Sequence, residues 1–276
     1  MLAAALLFST GGAAIKSATL DGWQVASFRS LAAAAAVVAL MPSARRNWNW
    51  RTLLVGFSYA ATLILFVQAT KLTSAANAIF LQSAAPFYLL LLGPWLLKEP
   101  VRRADALLMV FVGLGVALVF LGSQAPLRTA PDPRTGNVLA VFSGAAWALT
   151  LAGLRWLGGR GGSGEQGMAT VAAGNVLACL LSLAKALPVA FSVHDILVIG
   201  YLGVFQIGLA YLFLTRGVRS VTALECSLLL LAEPALNPVW AALVHGENPG
   251  AFSLAGGALI LAASLGRALR RENAAC

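Results

Sequence analysis

Charge is scarce in this chain. Of its 276 residues 11% are charged and 59% are hydrophobic, whereas about a quarter of a soluble domain is charged. An ordinary soluble globular domain is excluded, and a multi-span membrane protein is indicated. Acidic residues are the scarcer sign, 10 against 19 Lys and Arg. The resulting +9 is no nucleic-acid signature, because the basic residues sit at the ends of apolar segments, as membrane topology requires. Cys179, Cys226 and Cys276 show neither paired nor metal-ligand spacing, which argues against a disulfide framework. His194 and His245 have no partners at ligand spacing, so no metal site is expected. There is no Walker motif, and Gly113-x-Gly115 lies in an apolar span with no strand before it. No cofactor is expected, and no His/Asp/Ser constellation suggests an enzyme. The N-terminus lacks the basic region of a cleavable signal peptide.

What the chain has is apolar length. A span needs about 20 mostly apolar residues, and ten such segments can be marked out. They run at about 2–20, 23–41, 52–70, 73–97, 104–122, 137–157, 167–187, 194–214, 220–244 and 251–269. Trp48 and Trp50, in the loop after the second segment, read as an interface anchor. Loops 2–3, 4–5, 6–7 and 8–9 and the C-terminal tail carry 13 Lys and Arg, and the opposite loops carry 5. Cytoplasmic loops hold the excess, so both termini are expected in the cytoplasm.

The stretch from Ser74 to Pro100 repeats its frame 148 residues later, from Thr222 to Asn248. Pro86 falls on Pro234, Glu99 on Glu247, Asn77 on Glu225 and Lys71 on Arg219. At an offset of 139, Phe8 falls on Trp147 and Lys16 on Arg155. Each unit has five spans, and an odd number inverts the second copy. The expected fold is therefore an all-α integral membrane protein: ten transmembrane helices as two inverted five-helix repeats around a central cavity. The first repeat covers 1–122, a Pro-rich loop 123–136, and the second repeat 137–276.

Polar groups within a bilayer turn inward. At about 100° per residue, Ser74, Asn77, Leu81, Ala84 and Tyr88 share one face of the fourth span. Thr222, Glu225, Leu229, Ala232 and Trp240 share the matching face of the ninth. Asn77 reads either as a substrate hydrogen-bonding group or as a helix–helix contact. Glu225 reads as a holder of a substrate ammonium, as an exchanger of a coupling proton, or as a partner of Lys16 or Arg29. Tyr59, Phe66, Tyr88, Trp147, Tyr211 and Trp240 are aromatic candidates for the cavity, with packing as the alternative for each. Gln82 and Gln206 are secondary polar candidates. Pro86 and Pro234 free backbone groups and mark hinges. Glu233 reads as a cap or packing residue beside Pro234. Glu99 and Glu247, at span ends, read as gating or interfacial groups.

The doubled Pro-x12-Glu frame carries a resemblance over nearly the whole chain. In the first half it rests on residues 71–78 (KLTSAANA), Pro86 and residues 96–100 (LLKEP). In the second it rests on residues 219–225 (RSVTALE), 233–238 (EPALNP) and 245–248 (HGEN). These residues resemble the drug/metabolite transporter superfamily, and within it the ten-span exporters built from two EamA-type repeats. The nearest group is the exporters of aromatic amino acids. The resemblance implies secondary transport of small metabolites outward across a bacterial inner membrane, by alternating access, with a cavity lined by spans 1, 3, 4, 6, 8 and 9. It implies a small-molecule substrate, contact with membrane lipid, and protons as the candidate coupling ion. Efflux of organic cations is the alternative within transport, and a membrane scaffold the alternative outside it.

Overall fold

The computed structural model describes all residues except 47, 97–102, 123–126, 159–163, 218–228 and 274–276. The described residues are overwhelmingly helical, and the chain is an all-α membrane protein. Among the described residues five helices are long and apolar enough to cross a bilayer: Gly22–Leu40, Trp50–Leu72, Pro133–Gly158, Gln166–Ala186 and Val193–Gly217. Shorter apolar helices occupy the positions expected for the first, fourth, fifth and tenth spans. The ninth span contributes Ala232–His245. Large apolar side chains such as Leu54, Phe57 and Leu243 remain exposed, as lipid-facing positions require. Trp50 lies 6.1 Å from Trp156, with the Arg51 guanidinium 5.4 Å from both rings. That cluster suits the headgroup level.

Side-chain caps begin several spans. Asp21 accepts from Trp23 N and Gln24 N, and Gln24 returns the bond to the Asp21 backbone. Asn49, Ser74 and Ser192 cap the third, fourth and eighth spans. The sixth begins at Pro133, four residues before the expected Asn137, with Asp132 accepting from Thr135 N. Pro suits a first helical turn, where its missing N–H has no intrahelical partner.

The third span packs against the sixth and seventh, the second against the seventh and eighth, and the fifth against the tenth. Both halves of the first span contact the ninth.

Among the described residues, four spans depart from a regular α-helix. The first breaks at Thr10 (φ −76, ψ −11), between Leu2–Ser9 and Gly11–Ser17. The fourth breaks at Ser83 (φ −67, ψ −7), between Ala75–Gln82 and Ala85–Leu96. The ninth breaks at Leu231 (φ −66, ψ −15). Ser83 and Leu231 stand 148 residues apart, so both copies break at the same repeat position, three residues before Pro86 and Pro234. The eighth span widens into a π-helix at Tyr201–Leu209. Interrupted spans are tolerated in a bilayer only where the freed backbone faces protein or a cavity.

Candidate functional site

Aromatic side chains of four spans meet in one cluster. Tyr59 of the third span lies 6.2 Å from Trp147 of the sixth and 6.3 Å from Tyr211 of the eighth. Phe8 of the first span meets Tyr211 edge-on at 5.3 Å. Tyr59 and Tyr211 are buried, and Trp147 and Phe8 are half-buried. Glu233, in the first turn after the ninth-span break, is half-buried and within electrostatic range of both tyrosines. A carboxylate within electrostatic range of an aromatic box suits a ligand that carries both an ammonium and an apolar group.

The other polar candidates bind to neighbouring spans. Gln82 Nε2 donates to Ser143 Oγ (2.8 Å), which donates to the Thr62 carbonyl (3.1 Å). Ser143 sits one turn before Trp147. Trp240 Nε1 donates to Ser9 Oγ (2.9 Å), next to Phe8. Gln206 Nε2 reaches the Phe8 carbonyl at 3.5 Å, and its Oε1 has no partner. Asn77 Nδ2 reaches Asn137 Oδ1 at 3.4 Å, which also accepts from Thr73 Oγ1 at 2.8 Å. That is the geometry of a helix–helix contact, worth about 0.6 kcal/mol on average, although Asn77 Oδ1 remains unpartnered. Tyr88 stands apart from the box, packed against Phe87 (5.5 Å) in a cluster with Val112 and Ile260. Phe66 packs in the same cluster.

A buried ion pair lies at one end of the bundle. Lys16 Nζ lies 2.7 Å from Glu247 Oε1, and both side chains are 4% exposed. Glu247 Oε2 accepts from Ala75 N (2.9 Å) at the start of the fourth span. Lys16 also donates to the carbonyls of Thr73 (2.8 Å) and Thr129. His245 Nε2 donates to the Ala13 carbonyl (2.8 Å). Lys71 Nζ donates to the Ala18 carbonyl (2.7 Å), and Asp195 accepts from Thr19 N and Thr19 Oγ1. Gly246, at φ +64, makes the left-handed turn that ends the ninth span just before Glu247. The first span is thus tied at this end to the third, fourth, eighth and ninth.

The sequence profile of the EamA-like transporter family matches residues 1–121 and again 134–267. This chain belongs to that family. The EamA-like chain is therefore a multi-pass membrane transporter of small solutes. A solved crystal structure, described only as that of a protein, shares 19% identity over 98% of this chain and 96% of its own, with a TM-score of 0.63. At that identity the likeness speaks for the fold alone. No curated protein matches the chain.

Of the candidate site residues in this EamA-like protein, Tyr59, Trp147 and Tyr211 are brought together. Gln82 and Trp240 bind beside them, and Asn77 and Tyr88 lie elsewhere. Glu225 and Glu99 fall outside the described residues. Pro86 and Pro234 each follow a helix break. Sequence reasoning missed that Glu233 comes within electrostatic range of Tyr59 and Tyr211, whose signal was a carboxylate immediately before the repeated proline. It also missed the Lys16–Glu247 pair. Its signal was two opposite charges at span ends expected on the same side of the membrane.

Proposed function

We propose that this protein exports amino acids, with aromatic amino acids as the candidate substrates, across the bacterial inner membrane by alternating access. The observation that carries the reading is the box of Phe8, Tyr59, Trp147 and Tyr211 with Glu233 at its edge, set among interrupted spans. Aromatic walls suit an aromatic side chain, and a carboxylate suits an α-ammonium. Two further features support alternation. The end expected to face outward is closed by Lys16–Glu247, with Glu247 as gate. Arg155, the repeat counterpart of Lys16, is exposed at the other end. In an inverted repeat, Arg155 and Glu99 would form the matching closure of the cytoplasmic end in the opposite state. Protons are the candidate coupling ion, with Glu225 and Glu233 of the ninth span as the candidate carriers.

The test is uptake of a labelled amino-acid panel into proteoliposomes, with and without an imposed proton gradient. Gradient-driven accumulation that is lost in Glu225→Gln supports proton coupling. Equilibration that the variant retains makes the protein a facilitative carrier. No flux of any amino acid under either condition contradicts the reading. The same box fits an organic cation, because a carboxylate beside aromatic faces needs no substrate carboxylate. Displacement of the amino acid by an equal concentration of a viologen favours that second reading.

Trp147 supplies the largest wall of the box. Trp147→Ala is expected to raise KM for the transported amino acid about tenfold, a loss of about 1.4 kcal/mol. Uptake kinetics check this, and an unchanged KM would place Trp147 among packing residues.

A further inference from the structure

Arg29 is the largest fully buried side chain among the described residues, 2% exposed and well inside the second span. A guanidinium carries five N–H donors. Here one of them reaches an acceptor: Nη2 donates to the Leu63 carbonyl at 3.5 Å, the limit for a hydrogen bond. Nε has no partner. The one salt bridge among the described residues is Lys16–Glu247, so no described carboxylate neutralises Arg29. An arginine cannot shed its charge as a lysine can. A buried cation without an anion is costly, and within a membrane such groups face an interior or a pathway.

The surroundings indicate which anion belongs there. Leu63 and Tyr59 are one turn apart on the same face of the third span. The guanidinium held at Leu63 is also within electrostatic range of Tyr59. Tyr59 is the ring that contacts both Trp147 and Tyr211. Glu233 of the ninth span is within electrostatic range of the same Tyr59. One tyrosine of the box therefore has a guanidinium and a carboxylate acting on it from different spans, and the two charges are not paired with each other.

We propose that Arg29 receives the carboxylate of the transported solute, while its apolar part occupies the aromatic box. This rests on the amino-acid reading and narrows it to substrates that keep a free carboxylate. The planar fork of arginine binds a carboxylate through two parallel hydrogen bonds, which satisfies donors that Leu63 leaves unused. Lysine keeps the charge and loses the fork.

The test compares L-phenylalanine with 2-phenylethylamine, which lacks only the carboxylate. Affinities are measured by thermal-shift titration of the purified full-length protein in detergent. The wild type is expected to prefer phenylalanine at least tenfold. Arg29→Gln should bring that preference below twofold, through weaker phenylalanine binding with the amine little changed. Arg29→Lys should fall between, and it supplies the ratio if the glutamine variant does not fold. An unchanged ratio in the variants, or equal weakening of both probes, overturns the proposal while leaving amino-acid transport standing. Equal affinity in the wild type does the same. Binding of neither probe by the wild type overturns the aromatic amino-acid reading along with it.

Discussion

A Glu247→Gln variant will open the end of the bundle that Lys16 and Glu247 hold. In the wild type the carboxylate neutralises Lys16 at 2.7 Å and caps the Ala75 N–H at 2.9 Å, with both charges almost fully buried. Glutamine still accepts from Ala75 but leaves the ammonium without a counter-charge. Removing one partner of a buried pair costs about 3–5 kcal/mol. The cost falls only on the closed arrangement, since an opened end lets water reach Lys16. At about 1.4 kcal/mol per factor of ten, the open population should rise about a hundredfold or more. Ala75 is fully buried and sits under the pair. In right-side-out vesicles, Ala75→Cys should react slowly with an impermeant maleimide in the parent and about a hundredfold faster beside Glu247→Gln. The swap Lys16→Glu/Glu247→Lys should restore slow labelling only in part, because a lysine at 247 cannot accept from Ala75 N. Labelling at the parent rate in Glu247→Gln would show that other contacts close this end.

Gly12→Val will jam the same end by a different route. A Cβ at Gly12 would overlap Asn237 Oδ1 and come within 2.9 Å of the Ala75 Cβ. The first, fourth and ninth spans meet here with no space for a side chain. Asn237 is 1% exposed, and neither of its side-chain polar atoms has a hydrogen-bond partner. Its amide could swing aside, but the Ala75 Cβ is fixed to the backbone. Transport should fall at least tenfold with the protein still inserted, and labelling of Ala75→Cys from outside should rise. Gly12→Ala should be milder, and adding Asn237→Ala should recover part of its loss. Wild-type flux in Gly12→Val would mean that this contact is not remade in each cycle.

The same residues show how far the sequence could be read. Spans were legible because apolar length is a local property. The breaks at Ser83 and Leu231 were legible too, since Pro86 and Pro234 mark them and the repeat aligns them. The break at Thr10 was not, because Thr-Gly-Gly in an apolar run gives no signal as sharp as proline. The π-helical stretch of the eighth span leaves no mark on hydrophobic periodicity. Tyr59, Trp147 and Tyr211 were each marked as candidates. Their convergence depends on packing among the third, sixth and eighth spans, which no single span encodes. Lys16 raised the same difficulty: the chain offers it Glu225, Glu233 and Glu247, and only the docking of the ninth span against the first selects Glu247.

Counterflow is the measurement that bears most directly on carrier-type transport through the aromatic box. Proteoliposomes loaded with excess unlabelled phenylalanine are diluted into a trace of the labelled compound. Alternating access predicts a transient overshoot of label inside, present in the wild type and strongly reduced in Trp147→Ala. Absence of an overshoot for phenylalanine and for every other amino acid, in protein that still labels normally at Ala75→Cys, would contradict amino-acid transport by this chain.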